Sequence, residues 1–176
     1  MSMRNLFMTG LLCLTTTMSA AAAFTTPTRA QIAAASADPA LLTALLNGAS
    51  LDQAAQIVKT VISRIAALEL PAQEQNSRIT LAISKALAAL PAGKLVEFAG
   101  LLGTEMGRSL AIRLKPIVVS AVQGALAAAA GDNGASMAKG FGDSFAAASS
   151  GSDNRQNTRD ANKIKPPASK LYAGQD

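Results

Sequence analysis

Apolar residues recur along much of this chain at spacings of three and four, the period of a helix with one face buried. From Leu51, the positions Ala54, Val58, Val61, Ile65 and Leu68 fall on one face, while Asp52, Gln56, Lys59 and Ser63 fall on the other. Ser50 three residues before Gln53 is a capping box, in which each side chain satisfies an amide of the first turn, so a helix starts here. Pro71 ends it. A second helix follows, with Ile79, Ile83, Ala86, Leu87 and Leu90 on its apolar face and Pro91 at its close. Glu74 and Arg78 stand four apart in the order that favours helix.

Upstream, Asp38-Pro39 reads as an N-cap followed by proline at the first helical position. Leu41, Leu42, Leu45 and Leu46 make the stripe of that helix, and Asn47-Gly48 stops it. Downstream, Lys94 to Met106 puts Leu95, Phe98, Ala99 and Leu102 on one face, interrupted by Gly100, Gly103 and Gly107. Ile112 to Ala130 is the most apolar mature stretch, with Pro116 as a kink or a fresh first turn. The segments ending Leu70-Pro71-Ala72 and Leu90-Pro91-Ala92 echo each other, but two such units do not make a solenoid.

The pattern predicts an all-α protein, a small antiparallel helical bundle of about four or five helices with a disordered C-terminal tail. Its expected domain plan has five parts. Residues 1–23 are a signal peptide, 24–37 a flexible lead-in, and 38–130 the helical domain. Residues 131–151 form a Gly/Ala/Ser-rich linker with one weak turn around Phe141 to Ala148, and 152–176 a disordered basic tail.

The first segment decides the compartment. Arg4 supplies a positive n-region, Leu6 to Met18 an apolar h-region, and Ala20 to Ala23 the small residues of a cleavage site. The mature chain is expected to begin near Phe24, in the periplasm or secreted. Phe24 after an Ala-rich site, followed by a basic, acid-free stretch to Ala37, also resembles the bipartite presequence of algae with secondary plastids. That resemblance makes a plastid the alternative destination.

Composition narrows the chemistry. Hydrophobic residues make up 49% of the chain but aromatics only 3%, so the core is built of small and aliphatic side chains, with Ala favouring helix. The chain has no histidine and no tryptophan, and its single cysteine, Cys13, lies in the h-region. Leu12 before it does not fit a lipoprotein cleavage site. Histidine-based acid–base catalysis, cysteine nucleophiles and ordinary zinc sites are thereby set aside. Ser136-Met137-Ala138-Lys139 matches S-x-x-K, but the S-D-N and K-T-G elements of penicillin-binding enzymes are missing.

The pairs Glu69/Glu74 and Glu97/Glu105 read as solvated surface, and Asp132-Asn133-Gly134 as a plain turn without the ligand spacing of a calcium loop. Gly103-x-x-x-Gly107 reads as a helix break or tight soluble packing, because Glu105 and Arg108 spoil a membrane span. No catalytic, cofactor or metal residue is nominated. A net charge of +5, or +4 without Arg4, is a mild basic bias. Arg155, Arg159, Lys163, Lys165 and Lys170 in the tail are diluted by acids and accompanied only by Tyr172, so nucleic acid is an unfavoured partner.

The expectation is an exported, non-catalytic helical module that binds a protein partner or itself. The alternative is a membrane-associated or membrane-active protein that uses residues 112–130 and the basic tail on an anionic membrane surface.

Overall fold

The computed structural model describes residues 24–129 and 133–161, with side chains described as far as Gly151. Residues 1–23, expected to be a signal peptide, and the tail beyond Ala161 lie outside the described residues. Among the described residues every element is helical: α1 (Arg29–Ala37), α2 (Leu42–Leu45), α3 (Leu51–Ala67), α4 (Ala72–Ala89), α5 (Leu95–Gly107), α6 (Leu110–Arg113), α7 (Pro116–Ala128) and α8 (Gly134–Ala161). Short 3-10 turns at Pro39–Leu41 and Ala92–Lys94 lead into α2 and α5.

The local signals act as the sequence predicts. Ser50 and Gln53 form the capping box, with Ser50 N–H donating to Gln53 Oε1 at 2.8 Å and Gln53 N–H donating to Ser50 Oγ at 3.3 Å. Asp38 accepts from Ala40 N–H, and Gly48 adopts φ 73°, the left-handed conformation that a side chain resists. Glu74 pairs with Arg78 at 2.8 Å. Pro116 is the first residue of a fresh helix, separating α6 from α7.

Helix α3 is central. It buries Ala54, Val58, Val61 and Ile65 as the pattern predicts, and also Ala55, Ile57, Ile62 and Ala66. The buried arc is wider because α1, α4 and α5 all pack on this one helix. Leu68 lies past its end and is 40% exposed.

Four expectations need correction. The supposed lead-in 24–37 contains α1, started by a second capping box between Thr28 and Gln31. Its Ile32 and Ala35 belong to the same core as α3, so the packed unit reaches beyond residues 38–130 at both ends.

Residues 134–151 of the supposed linker belong to α8, which continues to Ala161, into the stretch expected to be disordered. Phe141 is fully buried and Met137 nearly so, and burial of such side chains offsets the entropic cost of ordering glycine. Among the described residues the helix count exceeds four or five, because α1 and α8 form outside the expected helical domain and Pro116 starts α7 apart from the short α6. Finally, the bundle is not uniformly antiparallel. Contacts of α8 advance along α5 in the same direction, from Gly140 near Val96, through Phe141 at Gly103, to Phe145 and Ala148 at Gly107. The intervening α6 and α7 carry the chain back and make this parallel pairing possible.

That pairing is the tightest in the molecule. A Cβ on Gly103 would overlap the Phe141 carbonyl, and one on Gly107 would stand 2.5 Å from the Phe145 oxygen and 2.9 Å from Ala148 Cβ. The glycines do not break α5. They form a groove into which the α8 backbone settles.

Candidate functional site

The structure separates the residues that sequence reasoning weighed for chemistry. Glu74 is exposed beside its partner Arg78, Glu97 is paired with Lys94 at 2.7 Å, and Glu105 with Arg108 at 3.0 Å. Each of these carboxylates neutralises a cation three or four residues away in the chain. Among the described residues no group of three or more Asp, Glu, His or Cys side chains could hold a metal ion. Asp132 lies outside the described residues, and Asn133 leads straight into α8.

Ser136 and Lys139 are both exposed on the first turns of α8. Lys139 donates to Asp143 Oδ2 at 2.5 Å, and this hydrogen bond, together with the nearby negative charge, raises its pKa above the ordinary 10.5. A lysine that accepts a proton from serine needs the opposite shift. Arg155 and Arg159 of the basic tail fall on the last turns of α8, whereas Lys163, Lys165, Lys170 and Tyr172 lie outside the described residues.

Two surface features remain. The first is the corner where α5, α6 and α7 meet. Leu110, Leu114 and Ile117 are 49%, 73% and 48% exposed there, although Ile112 between them is buried. The corner is held rigidly. Lys115 Nζ donates to the Ala66 carbonyl at the end of α3, and Arg113 Nη1 donates to the Ser149 carbonyl of α8 at 3.2 Å. Exposed Leu68, two residues past Ala66, stands at the same end of the molecule. Arg108, Arg113 and Lys115 flank these apolar residues in the sequence, with Arg108 paired to Glu105.

Sequence reasoning missed this corner because it treated residues 112–130 as one apolar segment. In the structure Val118, Val122 and Leu126 of that segment are fully buried, and the exposed residues cluster ahead of them. No single helix among the described residues is long and apolar enough to cross a membrane.

The second feature is a cleft of about 500 Å³ between the chain entering α1 and the exposed side of α3, walled by Phe24, Ile32 and Ile57 and lined by Arg29 and Arg64. A shallower groove along α4, from Gln73 to Ser84, is an open helix surface.

Compared with protein-family models, with curated proteins and with solved structures, the chain shows no match.

Proposed function

We propose that this is an exported, non-catalytic helical module that associates through the corner formed by Leu110, Leu114 and Ile117. The observation that carries the reading is Leu114, the most exposed large apolar residue described, at 73%, on a corner pinned by Lys115 and Arg113. A rigid apolar projection costs little entropy to bury, which suits a binding contact. Three or four leucine-sized residues fall short of the roughly 1,000 Å² of a stable interface, so the contact is weak and concentration-dependent. Its occupant is a second copy of the chain or a protein partner, reached after export to the periplasm or beyond, or to a plastid.

A second reading is favoured by the cations around the corner. Leu114 inserting at an anionic membrane surface, with Arg108 and Lys115 near the headgroups and the basic tail alongside, makes the protein a peripheral membrane module.

Sedimentation of the protein across a concentration series, together with flotation on anionic vesicles at low and high salt, separates the two. Association that is lost in Leu114→Glu, with helicity retained, supports the first reading. A monomer that floats and stays afloat in high salt transfers the corner to the membrane reading. A monomer that neither associates nor floats overturns self-association and the membrane reading.

A further inference from the structure

The cleft between the N-terminal segment and α3 differs in kind from the apolar corner. Its apolar walls are unevenly closed: Ile32 and Ile57 keep 8% and 7% of their surface accessible, while Val58, Val61, Ile62 and Ile65 on the same helix as Ile57 keep none. Its polar lining is dominated by donors. Arg29 and Arg64 make no ion pair among the described residues, and no carboxylate lines the cleft.

The remaining polar groups leave the same excess. Gln53 spends its carbonyl oxygen on the Ser50 amide, so its side-chain N–H groups are what it has to offer. Thr60 donates its hydroxyl proton to the Gln56 carbonyl at 2.7 Å and is satisfied. Two guanidinium groups and two side-chain amides thus stand beside an aliphatic and aromatic wall, with no anion of the protein's own to meet them.

Guanidinium forks match carboxylate oxygens in pairs, and such charge-assisted bonds gain strength beside apolar surface, where water screens them less. A volume of about 500 Å³ lies in the ordinary range of small-molecule sites, which are apolar hollows with a few placed polar groups. We propose that this cleft binds a small anionic amphiphile, with its carboxylate head on Arg29 and Arg64 and a short alkyl body against Phe24, Ile32 and Ile57. The inference is independent of the corner, and either can fail without the other.

The test is titration of the protein, isolated after export and with its N-terminus read by mass spectrometry, with decanoate below its micelle concentration. Decanol and decyltrimethylammonium serve as neutral and cationic probes. Binding is read by calorimetry and by backbone amide shifts in two-dimensional NMR. Decanoate is expected to bind at least tenfold more tightly than decanol, with shifts concentrated at residues 24–32 and 53–64. The double variant Arg29→Gln/Arg64→Gln should lose at least tenfold in decanoate affinity. Thr60→Glu, which places a carboxylate on an exposed position of the lining, should do the same by repulsion, so a folding defect in one variant leaves the other as the test.

Equal binding of decanol and decanoate, shifts centred on Leu110 to Ile117, unchanged affinity in the variants, or no decanoate binding would each overturn the proposal. Transfer of decanoate-like shifts to anionic phospholipid vesicles, but not to free decanoate, would assign the anion to a membrane and overturn the small-molecule form.

Discussion

At the scale of single residues, the glycines carry sharply different burdens. Gly103 lies against the Phe141 backbone, where an added methyl group has nowhere to go, whereas Gly124 in α7 has nothing within 4 Å of its would-be Cβ. Gly103→Ala is therefore expected to destabilise the protein by about 2–3 kcal/mol, because a backbone cannot yield as a side chain can. Gly124→Ala should stabilise it by about 0.5–1 kcal/mol through lower chain entropy in the unfolded state. Urea unfolding followed by circular dichroism measures both. Lys139 supplies a pH-dependent case. Its pKa is raised in the folded state by Asp143, so the pair's contribution is fully present below 10.5 and is lost as pH rises through the raised value. Asp143→Asn should bring Lys139 back toward 10.5 in an NMR titration, and the two proteins' melting temperatures should converge once the lysine has lost its proton.

At the scale of elements, capping chemistry was legible and composition misled. Ser50-x-x-Gln53 announces α3, and Thr28-x-x-Gln31 announces α1 by the same pattern, a signal passed over because no strong apolar stripe follows it. Ser50→Ala should cost about 1 kcal/mol, measured by chemical denaturation, since the Gln53 amide loses the Ser50 hydroxyl as its acceptor. Helix α8 was hidden by its glycine and serine content. Its stripe of Met137, Phe141, Phe145 and Ala148 is helical in spacing, and the rings of Phe141 and Phe145 stack with centroids 6.0 Å apart. Phe141→Ala should cost about 3–5 kcal/mol, a loss that a linker residue would not show. Thermal or urea unfolding of that variant checks whether residues 134–151 carry the fold.

At the scale of the whole molecule, a core poor in aromatics is compensated by close backbone approach. Ala54, Ala55, Ala82, Ala86 and Ala99 are fully buried, and small residues let neighbouring helices draw near. Such a core depends on every layer being present. Deleting residues 134–176 should expose Phe98, Met106 and the glycine groove of α5, producing an expanded, aggregation-prone chain detectable by light scattering. If 131–151 were only a linker, that truncation would leave stability unchanged. The packing leaves exposed apolar groups at the corner around Leu114 and, in the cleft, apolar walls beside Arg29 and Arg64.

The sequence by itself determined the all-helical class, the starts of α3 and of the turn at Asp38, the stops at Gly48, Pro71 and Pro91, and the poverty of groups for acid–base or metal chemistry. These follow from local physics: helical period, capping hydrogen bonds, the missing amide of proline, and the residue types present at all. Only the tertiary structure decided that Gly100, Gly103 and Gly107 form a groove rather than a break, that α8 fills it in parallel, and that Leu114 and the two arginines stay on the surface. Those outcomes depend on which faces meet. A glycine weakens a helix locally yet secures it when another backbone packs against the space its side chain would have filled.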